Sequence, residues 1–327
     1  MVNAVPLGII DSLSEGFATV NRRLWVLLLP ILLDVLLVSG PGISVNALVS
    51  RALAAVEHSG KPDDAPPGAP GSVEPSDNTD QLRTVIKSFQ DTNLMGLLAW
   101  QIPSVVGATA TTPLPKIRGS IVSEPAGAWA LLWQALGLAV LSLLGSSFYL
   151  AGLAGGVRRE AFRFGHWAAQ AVRGWLSFLA LYAGLLLVAL PVVAVGVGLS
   201  LALSLLSVGL GSLISGVMGA GVITLAFYLY FTDDAIFLTG VWPVRAIIMS
   251  AGLVAHHVGK TLGLFLLANL ILVGLPLALR LVVEHPAGLV AAALAHAYVA
   301  SGITAGGMVF FYQRFTLSPK PETAVAL

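Results

Sequence analysis

Asp34 and His296 are ionisable side chains set inside apolar runs, and Asn269 is a polar one within a third such run. Holding an ionisable group in hydrocarbon costs about 2.5–3.5 kcal/mol even on a lenient insertion scale, so each is a functional candidate by default. As a functional pair, Asp34 and His296 could relay protons or coordinate a cation from the first and last spans, and with Asn269 they could serve a small permease or channel. The structural reading has Asp34 and His296 satisfying each other or hydroxyl neighbours such as Ser301. In that reading Asn269 bridges helices, which is worth roughly 0.6 kcal/mol.

Asp233 and Asp234 adjoin the end of another apolar run, with Arg245 following at a short distance. Two carboxylates could recruit a divalent cation or answer nearby basic residues, but Mg²⁺ and Ca²⁺ want more oxygen ligands or a bound phosphate than one pair supplies. Together with His256 and His257 they could serve a lipid-modifying enzyme only if held in a defined acid and base geometry. Consecutive histidines on a helix point about 100° apart and do not chelate one ion. Glu284 and His285 read as a polar turn closed by Pro286.

Neither G-x-x-x-x-G-K-[ST] nor G-x-S-x-G nor H-E-x-x-H occurs, and with zero cysteines there is no thiolate nucleophile, disulfide or cysteine-ligated cluster. The expectation is no catalytic residue, no cofactor, no bound metal and no enzymatic activity.

The elements that would position these residues are written in the composition. The 327 residues are 57% hydrophobic and only 10% charged, against about 25% charged in soluble domains. Basic and acidic residues nearly cancel, 17 to 16, which disfavours nucleic acid as a partner and makes the lipid bilayer the first partner to expect.

About 20 helical residues cross a hydrocarbon core. Six runs meet or approach that length: 24–43, 128–157, 175–199, 210–231, 262–282 and 287–311. With residues 1–23 and 312–327 both cytoplasmic, ten basic residues fall inside: Arg22, Arg23, Arg158, Arg159, Arg163, Arg173, Arg245, Lys260, Arg314 and Lys320. The short outer loops then carry only Arg280, and six more lie in an outer insertion, 44–127, long enough to be exempt from the positive-inside rule. A multi-pass protein of a bacterial plasma (inner) membrane is expected. Trp25, Trp129, Trp133, Trp175 and Trp242 fall near span ends, as an interfacial aromatic belt requires.

Within the insertion, 44–58 is helix-compatible, 59–78 is a Pro, Gly and Asp linker, and Leu82, Val85, Ile86 and Phe89 recur at helical spacing. Charge parity excludes a span over 94–110, which is expected to pack on the outer surface. On the inner side, 158–174 and 241–260 mix polar and apolar residues as interfacial helices do. Gly152 with Gly156, Gly302 with Gly306, and Gly211, Ser215 and Gly219 repeat every four residues as packing seams.

One stretch carries a family resemblance: Phe227, Tyr228, Leu229, Tyr230 and Phe231, then Gly240, Pro243, Ala246, Ser250, Leu253 and Val254. It resembles the membrane domain associated with glycerophosphoryl diester phosphodiesterases, over roughly 138–311. The resemblance implies a polytopic helical architecture and no catalysis, because that family's chemistry belongs to a separate soluble domain.

The expected fold is all-α, six transmembrane helices in three hairpins with interfacial helices and an outer helical insertion. The expected function is interaction, as a subunit or scaffold with protein partners in the membrane, or as an organiser of the lipid surface. The alternative is a small permease or channel through Asp34, Asn269 and His296.

Overall fold

The computed structural model describes residues 7–46, 49–51, 53–54, 93–108, 122–123, 125–204, 207–279, 281–282 and 286–317. The chain is mostly helical, with five helices long and apolar enough to cross a membrane: Ala128–Val157, Phe164–Ser204, Gly209–Thr239, Val258–Leu279 and Ala287–Thr316.

Helix α1 (Ile9–Arg22) buries Ser12, Leu13, Gly16, Thr19 and Val20, a single stripe at helical spacing, and turns Asp11, Asn21 and Arg22 outward. A 3-10 turn (Leu24–Leu27) leads into α2 (Leu28–Ser39). The expected span 24–43 is therefore divided, and Pro30 falls in the first turn of α2, where its missing N–H costs nothing. At 16 residues, Leu24–Ser39 is shorter than the five helices long enough to cross a membrane.

Residues Gly42–Ile43 (β1) pair in parallel with Val122–Ser123 (β2). Between them come a 3-10 segment (Leu94–Ala99) and the short helix α3 (Val105–Ala108). Residues 94–106 pack against the helices, with Trp100 left largely exposed. Met95, Ile102, Ser104 and Val105 are buried, the Ser142 hydroxyl donates to Leu98 O from midway along α4 (Ala128–Val157), and Val105 packs with Ala292. Non-helical backbone is tolerated among membrane helices when protein buries it, and here it does. The linker 59–78, the residues 82–89 and most of 44–58 lie outside the described residues, as do Arg280, Glu284, His285 and 318–327.

Helix α5 (Phe164–Ser204) is continuous for 41 residues, so 158–174 does not form a surface helix of its own. Its first turns simply extend the span. The indole N–H groups of Trp167 and Trp175 donate to Phe148 O and Val140 O, a descending order that makes α4 and α5 antiparallel. Helix α6 (Val208–Tyr228) returns along the far half of α5, where Ser200 donates to Gly211 O and bonds the Ser215 hydroxyl.

The run 210–231 continues past a break into α7 (Thr232–Thr239), which ends on Gly240 in the left-handed conformation at φ 69°. Helix α8 (Pro243–His256) opens with proline at its first position, breaks at His257, and is followed by α9 (Val258–Leu279) and α10 (Pro286–Leu317).

Two junctions hold this arrangement together. Gly16 of α1 meets α10 so closely that an added Cβ would stand 2.4 Å from Gly302 O and from Gly306 N. Gly302 and Gly306 are thus the floor on which Phe17 and Leu13 rest. At the break between α6 and α7, the fully buried Ser250 hydroxyl donates to Tyr228 O (2.7 Å) and accepts from Phe231 N–H (3.0 Å). One side chain satisfies both backbone groups that the break releases. Ala246, Ser250 and Val254 form the buried stripe of α8, which is the physical reason for their four-residue spacing.

Candidate functional site

Asp34 sits buried in the middle of α2, and its carboxylate is fully engaged by the entering segment. It accepts from the Ser104 hydroxyl, from Val105 N–H (3.3 Å) and from Val106 N–H (3.2 Å). The first N–H groups of α3 are orphan donors, and a carboxylate brought from another helix caps them. Asn269 donates to Phe265 O of its own helix and is exposed. His296 is buried, and neither ring nitrogen has a hydrogen-bond partner among the described residues. No hydrogen bond or ion pair joins any two of Asp34, Asn269 and His296.

Asp233 and Asp234 open the first turn of α7, where the helix dipole favours negative charge. Asp234 is buried, with Gly307 of α10 alongside, and Asp233 lies within reach of the Gln101 amide, which itself donates to the Tyr182 hydroxyl. Arg245 is exposed and pairs with neither carboxylate. His256 bonds Gly252 O one turn back, and His257 caps α8. Among the described residues, no group of three or more His, Cys, Asp or Glu could hold a metal ion.

The most concentrated polar chemistry lies at the turn after α4. Helix α4 ends with Arg159 N–H on Gly156 O and Glu160 N–H on Gly155 O, a pair of bonds that calls for a left-handed residue between them. Arg159 takes that position at φ 57°, where glycine is usual and other residues are strained. The turn sends the two neighbouring arginines to different partners. Arg158 donates to Phe237 O (2.7 Å) and Leu238 O (3.2 Å) at the end of α7, to Gln170 (2.9 Å) and to both oxygens of Glu160 (2.7 and 3.2 Å). A guanidinium thus neutralises the carbonyl end of α7, and Gln170 reinforces it by donating to Phe237 O. Arg159 instead reaches Glu15 of α1 at 3.2 Å, and Glu15 also holds Arg22 at 2.8 Å.

Arg23 is half-buried and donates to Gly152 O and Glu160 O, with no carboxylate of its own. Burial pulls its pKa below the ordinary arginine value. The Arg22 hydrogen bond holds the Glu15 carboxyl below its usual range, and the Arg158 hydrogen bond does the same for Glu160. Two clefts flank the turn. One of about 360 Å³ is lined by Arg22, Arg23, Arg159 and Glu160, and one of about 420 Å³ runs between α5 and the end of α7 past Arg158, His166, Arg173 and Thr239.

Comparison with protein-family models, curated proteins and solved structures found no match.

Ser104, Gln101, Tyr182, Gln170 and Ser250 were not singled out as site residues by sequence reasoning. Only Ser104 carried a local signal, since serine after Pro103 marks a helix start. The others are recognisable only once distant segments meet.

Proposed function

We propose that this chain is a non-enzymatic, six-span membrane protein, α2 being the short sixth span, that serves as a subunit or scaffold of a membrane assembly. Both termini face the cytoplasm, and the membrane is the plasma membrane. The observation that carries this reading is the α5 and α6 pair. Leu187, Val188, Val195, Leu213, Val217, Val222 and Ile223 are all more than half exposed. Along α6, Gly209, Ser212, Gly216 and Ala220 line an open groove of about 430 Å³. In lipid, small residues at four-residue spacing let a second helix backbone approach, and packing rather than hydrophobicity drives that association. The exposed Asn269, midway along α9, gives a second helix a polar group to bond.

The resemblance to the phosphodiesterase-associated membrane domain agrees with this architecture and implies no chemistry. A permease working through Asp34, Asn269 and His296 needs the three to share a path. Asp34 spends its oxygens on residues 104–106 and Asn269 bonds its own helix, which favours the subunit reading.

Because the chain has no cysteine, Gly216→Cys places a unique thiol in the groove. Cross-linking in native membranes is expected to give a discrete partner adduct from position 216 and none from Thr239→Cys. Solute flux through the purified monomer, without any adduct, would refute the reading.

A further inference from the structure

Among the described residues, the turn after α4 gathers Arg22, Arg23, Arg158 and Arg159 against two carboxylates, Glu15 and Glu160. Glu160 is committed to Arg158, and the single Glu15 oxygen Oε1 serves both Arg22 and Arg159. Three guanidiniums therefore face one cleft of about 360 Å³ with most of their donors unspent. Arg159 is 72% exposed there and is held by a backbone conformation that disfavours every residue but glycine and asparagine. A strained, exposed cation is not explained by its one surface ion pair, which is worth little.

Beside the cleft stands an exposed apolar shelf. Leu24 follows Arg23 directly, and Trp25 packs edge-on against Phe162 (5.0 Å between centroids) and Trp167 (5.4 Å), with Phe162 and Phe164 themselves half or more exposed. A cationic cleft bordered by aromatic and aliphatic surface matches a ligand with a phosphate at one end and hydrocarbon at the other.

We infer that Arg22, Arg23 and Arg159 form a binding site for the phosphate of an anionic phospholipid, whose acyl chains lie over Leu24, Trp25 and Phe162. Guanidiniums suit it because their planar donors grip phosphate oxygens in pairs. The inference rests on the membrane reading above and adds a lipid site to it. Free phosphate shares the headgroup's chemistry but gains nothing from the apolar shelf, so the lipid is the ligand assigned.

The test uses the full-length protein in neutral detergent, titrated with phosphatidylglycerol and with phosphatidylcholine of the same chains, bound lipid being counted by native mass spectrometry. The wild type is expected to retain phosphatidylglycerol preferentially. Arg22→Gln and Arg159→Gly should each weaken that preference about five-fold, the worth of one basic residue near an anionic surface. Arg159→Gly also relieves the left-handed strain, so its melting temperature reports an intact fold while binding falls. Arg245→Gln, which removes a charge outside the cleft, should leave retention unchanged.

Equal retention of the two lipids, undiminished phosphatidylglycerol binding in the Arg22→Gln/Arg159→Gly variant, or binding of inorganic phosphate without a lipid preference would each overturn the site. A partner adduct from position 216 in a chain lacking lipid preference removes only this inference. Lipid preference without any adduct removes the assembly reading instead.

Discussion

Asp34 accepts a hydrogen bond from Ser104, 70 residues further along the chain, and in doing so anchors the segment that threads between α2, α4 and α10. A carboxylate in an apolar helix is here a cap for a neighbouring helix rather than a free ionisable group. Asp34→Ala removes the acceptor used by Ser104, Val105 and Val106, and each buried donor deprived of it costs about 1–3 kcal/mol. Thermal unfolding in detergent should show a large drop for Asp34→Ala and a smaller one for Asp34→Asn, which keeps one carbonyl oxygen. Asp34→Asn with wild-type stability would show that the carboxylate is not the anchor.

Ser250 offers a second measurement of the same kind. Ser250→Ala takes one acceptor from Phe231 N–H and one donor from Tyr228 O at the break between α6 and α7. The cost expected is about 1–3 kcal/mol for each buried group left unsatisfied. Ser250→Thr keeps the hydroxyl but adds a methyl where the serine is fully buried, so it should not recover the full stability.

Gly16 tests the contact between the first and last helices. A Cβ at 2.4 Å from Gly302 O cannot be accommodated without moving α1 off α10. Gly16→Val should destabilise the protein by at least the roughly 1–3 kcal/mol typical of overpacking. Limited proteolysis should then give a cut within 9–22 that the wild type lacks.

Acid should loosen the arginine turn. Glu15 and Glu160 titrate below the ordinary glutamate value because Arg22 and Arg158 respectively hydrogen-bond their charged forms. Groups with lowered folded pKa values stabilise the fold above the unfolded value of about 4.3 and lose that contribution as pH falls through the folded values. Melting temperature should therefore decline below about pH 5, and Glu15→Gln and Glu160→Gln should flatten the decline. Both side chains are substantially exposed, so the effect is small.

Much of the fold could be read from residue order, and the failures have a common cause. Uninterrupted apolar runs announced α4, α9 and α10, because a membrane helix satisfies its own backbone and needs nothing distant. Arg163, His166, Gln170 and Arg173 alternate with apolar residues, a local pattern that does not show 164–174 to be continuous with the span that follows. The helix passes straight through, and at Gly174 Phe237 approaches to where a Cβ would be 2.2 Å away. The contacts of residues 94–106 with α2, α4 and α10 join segments far apart in the chain and leave no local signal. At the candidate site, the arginines were legible as markers of sidedness. Arg22 meets Glu15 seven residues away, but the pairing of Arg159 with Glu15 and of Arg158 with the carbonyls of Phe237 and Leu238 spans 79 to 144 residues and leaves no local pattern.

The length of α5 carries one more implication. From Trp175 to Ser204 the helix climbs about 45 Å at 1.5 Å per residue, half as much again as the roughly 30 Å of hydrocarbon in an average bilayer. An upright helix of that length forces its surplus apolar turns into the headgroup layer. It must lean steeply, bend at Pro191, or gather thicker lipid about itself. Leaning, bending or gathering thicker lipid each returns the surplus turns to hydrocarbon, at a cost of fractions of a kcal/mol per ångström of mismatch.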